Sequence, residues 1–254
     1  MQFLARRTRM GRITRSAFAI LAMAGAWQLP AGEVKAAYSR MAPIDRYLMD
    51  RNAEIVLARS AAPEAISREA TVLVLGRNGY ETAVRGNNGF VCMVERGWVG
   101  AFDAPEMWNP KIRGADCLNP PAARSILPLA ILRTKMFLAG RTRAEIIAAI
   151  REALGRAELP PLEPGAMSYM MSKGSYLTDA GGHNGPHLMF FMPVAQPAVW
   201  GADMPGSPVA SVGYWFGFGN GRASQEAEGL PPVRVFTVSV GKWSDGTVAA
   251  SHMH

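Results

Sequence analysis

The spacing of apolar and polar positions divides the chain into a strand-rich segment, a helical segment and a second strand-rich segment. Residues 43–59 open with helical spacing: Ile44, Tyr47, Leu48, Ile55 and Ala58 lie near one face, interrupted by Arg51 and Asn52. Pro63 predicts the first turn of a short helix running to Ala70. Residues 71–75 are then β-branched and apolar, residues 80–85 alternate with Tyr80, Thr82 and Val84 on one face, and residues 90–95 make a third run. Asn78-Gly79 is a two-residue hairpin signal, and Asn87-Asn88-Gly89 turns the chain into the third run. The three runs predict a β-meander.

Residues 98–119, with Trp98, Pro105, Trp108 and Pro110, read as a loop. Asn119-Pro120-Pro121 supplies a cap and pre-set dihedrals for a helix, and residues 126–138 are apolar nearly all round, as in a buried helix. Pro128 marks either a kink or the true first turn. Thr142 and Glu145 form a capping box, after which Ile146, Ile147, Ile150, Ala153 and Leu154 repeat with helical period until Gly155. Pro160, Pro161 and Pro164 stiffen the connection to strands at 166–172, 187–192 and 233–240. The run 187–192 (His-Leu-Met-Phe-Phe-Met) is apolar on both faces, the pattern of a central strand. Strands, then helices, then strands imply an α+β domain. Its sheet is mainly antiparallel, an N-terminal β-meander plus C-terminal strands, with a central helical pair.

The N-terminus stands apart from this pattern. Arg6, Arg7, Arg9, Arg12 and Arg15 precede an apolar stretch at 17–26, the order of an export signal. At about 10 residues the stretch falls short of the roughly 20 that span a bilayer. Small residues at Ala24 and Ala26, or Val34 and Ala36, suit cleavage. The break at Leu29-Pro30 favours the second site, giving a signal peptide at 1–36 and one globular domain at 37–254. Thr8-Arg9-Met10 lacks the apolar residues expected after a twin-arginine pair, so general secretion is the route implied. The first cysteine is Cys92, so none follows the apolar stretch to carry a lipid. The chain is thus expected in the periplasm or outside the cell, with no stable membrane span after cleavage. Residues 1–36 hold six of the 27 Lys and Arg and one of the 20 Asp and Glu, which leaves 37–254 with a net charge of only +2. The basic balance belongs to the signal and does not point to nucleic acid.

The two cysteines, Cys92 and Cys117, lack Cys-x-x-Cys spacing, and in an oxidising compartment they predict a disulfide. It would pin the third strand to the loop around Cys117. Closing a loop of about 25 residues stabilises by roughly 3 kcal/mol on the chain-entropy account.

Four segments occur together in a recognisable way: Gly79-Tyr80-Glu81, Asn88-Gly89-Phe90-Val91-Cys92, residues 166–172 (Ala-Met-Ser-Tyr-Met-Met-Ser) and residues 186–191 (Pro-His-Leu-Met-Phe-Phe). Together they resemble a family of exported bacterial proteins of uncharacterised function. The resemblance implies export and a single domain, and it carries no catalytic residue.

Among the chemistry-bearing side chains, Asp179, His183 and His187 recur every four residues. Gly181, Gly182, Gly185 and Pro186 exclude a helix there, so the three would converge through a loop entering a strand. Two His and one Asp suit a divalent transition metal with a position left for water, or a metal-free site with His183 or His187 as general base. The alternative is structural use, with His187 hydrogen-bonded at the core edge. Ser168, Ser172 and Ser175, with Lys173 beside them, carry no nucleophile motif. Gly217, Gly219 and Gly221 lack the Lys-Ser/Thr of a phosphate loop. Trp215, Phe216 and Phe218 interleave those glycines in the loop 213–221, where they would close over a ligand, present a partner surface or cap the sheet. Of the methionines, Met167, Met170, Met171, Met189 and Met192 fall in expected strands, as adaptable packing. His252 and His254 would bind metal adventitiously. The reading is an exported module that binds a small molecule or an envelope protein. The alternative is a hydrolase using His183, His187 and Asp179.

Overall fold

The computed structural model describes residues 38–100, 102, 104–181, 185–193, 196–214, 230 and 233–249. All fall within one compact unit, Lys35–His254. The N-terminal part holds helix α1 (Arg51–Arg59), which begins where the Asp50 side chain accepts from the Ala53 amide, and the short helix α2 (Glu64–Ser67). Three strands follow, β1 (Thr71–Gly76), β2 (Gly79–Val84) and β3 (Val91–Glu95). The hairpin closes one residue earlier than its sequence signal: Gly76 pairs with Gly79, leaving Arg77 and Asn78 as the turn. Gly79 itself sits at a φ of 123°, open to glycine alone without strain. The third strand does not continue the meander beside β2. It crosses to the free side of β1 and pairs with it in parallel, Thr71 with Val91 and Val72 with Cys92.

The segment expected to be wholly loop contains a strand, β4 (Gly114–Leu118), buried along its whole length and antiparallel to β3. Its sequence, Gly-Ala-Asp-Cys-Leu, is short and carries an acid, so β-propensity hides it. Tertiary pairing makes it the middle of the sheet. The helical segment then runs through α3 (Pro120–Ser125), α4 (Leu127–Leu138) and α5 (Arg143–Gly155). The expected caps are present: Asn119 accepts from Ala122, and Thr142 and Glu145 complete the capping box. Pro128 lies in the first turn of α4, which begins afresh rather than kinking.

The last third supplies β5 (Met167–Met170), β6 (His187–Pro193), β7 (Val209–Tyr214) and β8 (Val233–Ser239). The eight strands form one sheet, ordered β2-β1-β3-β4-β5-β6-β8-β7, antiparallel everywhere except at β1–β3. The fold is α+β with a mainly antiparallel sheet. β6 is central, as its apolar run implies, but its burial alternates: His187, Met189 and Phe191 are buried and the intervening residues are half-buried. One face of the sheet meets α3, α4 and α5 in the main core, which includes Leu73, Met93, Leu118, Ile126, Phe137 and Ile150. The other face meets α1 and the turn that follows it, through Ala58, Ala61 and Ala62 over Val72, Val94 and Ala115. Further along that face Trp200, in a 3-10 turn (Pro197–Trp200), stacks on Phe236 with ring centroids 4.9 Å apart.

Cys92 and Cys117 are bonded, and they are directly paired residues of β3 and β4. The bridge therefore joins two adjacent strands within the sheet rather than a strand to a loop.

Candidate functional site

Asp179 lies on an exposed turn, where its carboxylate is a hub. Oδ1 accepts from Asn109 Nδ2 (3.1 Å), Lys111 Nζ (3.0 Å) and Tyr176 OH (2.6 Å), and Oδ2 accepts from Tyr38 OH (2.5 Å). These donors, Tyr176 and Tyr38 first, hold the carboxyl well below the usual carboxylate range. Glu106 ties the same turn from behind, accepting from the Asp179 amide at 3.0 Å and from Asn109 Nδ2 at 2.6 Å. The cluster fastens Tyr38, the 106–111 segment and the 176–180 turn to one another. Its acceptor sites are taken up by protein donors.

His187 opens β6 and is buried, with Nδ1 at 2.8 Å from the Gly185 carbonyl oxygen. Burial pushes its pKa down, against the opposing pull of that carbonyl, so the ring is neutral at pH 7. His183 lies outside the described residues. Among the described residues no group of three or more His, Cys, Asp or Glu is placed to hold a metal ion. The aromatic loop residues Trp215, Phe216 and Phe218 also lie outside the described residues, as do His252 and His254.

The serines of β5 and its continuation have structural partners or none. β5 pairs with β6, which sets Ser168 opposite Met189 and Met170 opposite His187. Ser172 Oγ shares a hydrogen bond with Ser60 Oγ at 2.5 Å, and Ser175 Oγ accepts from the Ala115 amide. Lys173 pairs with Asp245. Among the described residues no serine hydroxyl bonds to His187.

The structure adds polar groups that no sequence motif marks. Glu54 and Arg96 form an ion pair at 2.9 Å with 1% and 0% side-chain exposure. Glu54 Oε1 also accepts from the Leu75 amide, and Arg96 Nε donates to the Tyr47 carbonyl. Arg133, on the largely apolar α4, donates to the carbonyls of Val99, Trp98 and Gly100, and its guanidinium lies 4.7 Å from the Phe102 ring centroid. Both arginines satisfy backbone at the end of a strand or turn. A third group, Glu95, Asp116 and Ser168, brings two acids and a hydroxyl together inside the sheet face.

The described residues also line a partly open apolar cavity of about 530 Å³. Its walls are Ile126 and Leu129 at the start of α4, Ile150 and Leu154 on α5, the connection 159–162, and Pro193, Leu230 and Val233 at the end of β6 and the start of β8. The prolines at 160 and 161 keep the connection extended, so it forms a wall instead of collapsing onto α5. Ser125 is the one hydroxyl side chain in this lining, and its Oγ already donates to the Pro121 carbonyl at 2.7 Å. The volume lies within the range of about 300–1,000 Å³ typical of small-molecule sites. Such a wall rewards burial of hydrocarbon and penalises any unpaired charge or polar group.

Comparison with protein-family models, with curated proteins and with solved structures finds no match.

Proposed function

We propose that the protein is an exported binding module whose ligand is a small, predominantly aliphatic molecule, held in the cavity between α4, α5 and the β6–β8 end of the sheet. The observation that carries this reading is the cavity itself: room for a small molecule, walled by side-chain carbon, with its one hydroxyl already bonded. Hydrocarbon gains roughly 0.8 kcal/mol for each CH₂ buried there. Specificity would rest on shape and length, because none of the described residues that line the cavity is charged. Export is supported by the arginine-then-apolar N-terminal pattern and by a disulfide suited to an oxidising compartment. An aliphatic ligand fits the cell envelope, where acyl chains abound.

The test is direct. The natively exported protein, purified without detergent, is analysed by native mass spectrometry and then titrated with fatty alcohols of graded length. The reading expects a co-purifying or added aliphatic ligand at one per chain, with affinity rising with length and then falling. Leu154→Trp, which places an indole in the cavity from the half-buried face of α5, should abolish uptake while the chain stays folded. Affinity that is independent of length, or unchanged in Leu154→Trp, rules the cavity out as the site.

The hydrolase alternative with His183, His187 and Asp179 gains no supporting contact from the described residues, since Asp179 is engaged by four protein donors and His187 is buried beside Gly185.

A further inference from the structure

The walls of the apolar cavity are not held equally. α4 and α5 are fastened by their own helical ladders, and β6 and β8 by their pairing from His187–Ser239 to Pro193–Val233. The remaining wall is the connection after α5, which contributes Ala157, Leu159, Pro160, Pro161 and Leu162. Pro160 and Pro161 have no amide hydrogen, and among the described residues no hydrogen bond reaches their carbonyls or the Leu162 amide. Leu159 keeps one long bond, its amide 3.4 Å from the Ala153 carbonyl oxygen. A segment with so few backbone hydrogen bonds is the part of a fold that opens locally at least cost.

Both ends of this strap are turns through left-handed backbone. Ala157 leaves α5 at a φ of 55°, and the Glu158 amide donates back to the Ala153 carbonyl at 2.9 Å. At the far end Gly165 has a φ of 78°, the Ala166 amide donates to the Glu163 carbonyl, and Asn119 Nδ2 donates to the Gly165 carbonyl at 2.8 Å. Beyond that point the chain is tied to the sheet, the Phe191 amide donating to the Ala166 carbonyl. Dihedral changes at a few such end residues let a segment swing while its neighbours stay fixed.

One side-chain contact fastens the strap across the cavity. Arg124 of α3 stands next to Ser125 of the lining, and Glu163 stands next to Leu162 of the lining. Arg124 Nε donates to Glu163 Oε1 at 2.9 Å and Nη2 donates to Oε2 at 2.7 Å. The pair thus joins the strap to the α3–α4 junction. Its geometry is the two-bond fork that fixes register. Its side chains are 60% and 33% exposed, so water and salt compete with it.

We propose that residues 157–163 are a strap that swings out to admit the ligand, and that the Arg124–Glu163 pair is its releasable fastening. The inference rests on the cavity being the ligand site. Closed, the strap lays Leu159 and Leu162 along the ligand. Open, it gives hydrocarbon a path that unfolds no helix and parts no strand. An uncharged chain gains nothing from either member of the ion pair, so the pair sets the rate of exchange and not the affinity.

The experiment measures exchange of the best-bound fatty alcohol of the length series, ¹³C-labelled at its methyl end, by NMR on the full chain. Hydrogen exchange of residues 157–163 is followed without ligand. Arg124→Gln and Glu163→Gln should each raise association and dissociation rates together by about two- to fivefold, the factor an exposed pair carries, and should speed amide exchange in the strap. Added salt should do the same to the wild type and nothing to either variant. The probe is uncharged, so steering by charge cannot imitate that response. The exchanged pair, Arg124→Glu with Glu163→Arg, should restore the slow wild-type rates, which a role in packing alone would not produce. Bound alcohol that exchanges at one rate in the wild type and both single variants overturns the strap and leaves the cavity reading standing. Failure of every protein to bind any alcohol overturns both, because the strap would then have nothing to admit.

Discussion

Replacing Glu54 by Gln should cost the fold about 3–5 kcal/mol, although the change removes no carbon and leaves a side chain of nearly the same shape. Glu54 and Arg96 are buried together, joined at 2.9 Å, with 1% and 0% of their side chains exposed. In Glu54→Gln the guanidinium stays buried, because its other bonds to the Tyr47 and Val94 carbonyls hold it in place. It then carries an uncompensated charge, and breaking a buried pair on one side costs that range. Against a total stability of roughly 5–15 kcal/mol, the loss is a large fraction of what holds the domain together. Equilibrium urea denaturation reads it as a fall in midpoint at unchanged slope. The exposed Arg51–Glu81 pair, with 49% and 60% exposure, is an internal control, and Glu81→Gln should cost less than about 1 kcal/mol. Removing both charges, in Glu54→Leu with Arg96→Met, should recover much of the loss. Equal, small costs for Glu54→Gln and Glu81→Gln would refute the reasoning, since burial would then not govern the energy of the pair.

Three further outcomes are expected. Reducing the Cys92–Cys117 bridge, which closes a separation of 25 residues, should lower stability by roughly 3–3.5 kcal/mol on the chain-entropy account, read from thermal midpoints with and without reductant. The Asp179 hub should survive mild acid: with its pKa depressed, its contribution is present above the ordinary carboxylate range and fades only as pH falls through the lower folded value. Limited proteolysis near Tyr38 should therefore stay slow until strongly acid pH in the wild type and be fast throughout in Asp179→Asn. The His187 ring should titrate below the ordinary histidine value by NMR, so its burial favours the fold at neutral pH and that advantage declines as pH falls below about 6.5.

Much of the frame was legible because its signals are local. The Asn119 cap, the Thr142–Glu145 box, the apolar run of α4 and the period of α5 each occupy a few adjacent residues, and the structure realises all of them. The disulfide was legible from cysteine count and compartment, but its setting was not. β4 is five residues with an acid at its centre, and only pairing with β3 and β5 makes it a strand. The crossing of β3 to the far side of β1 is likewise non-local, since a turn signal fixes where the chain reverses and not which neighbour it joins. β7, beginning at Val209, was missed because its Ala, Ser and Gly residues weaken the strand pattern. The acids Glu95 and Asp116 are 21 positions apart and carry no motif, so register alone brings them together. The cavity is a property of how α4, α5 and the proline connection fail to fill the space above β6 and β8, which no single segment encodes.

The most direct test of the account is ligand uptake by the cavity: native mass spectrometry of the wild-type protein and of Leu154→Trp, each incubated with the same series of fatty alcohols. The account predicts one alcohol bound per wild-type chain, with an optimum in chain length, and none bound to Leu154→Trp of unchanged thermal midpoint. Equal binding by both proteins, or no binding at any length by the wild type, would contradict it.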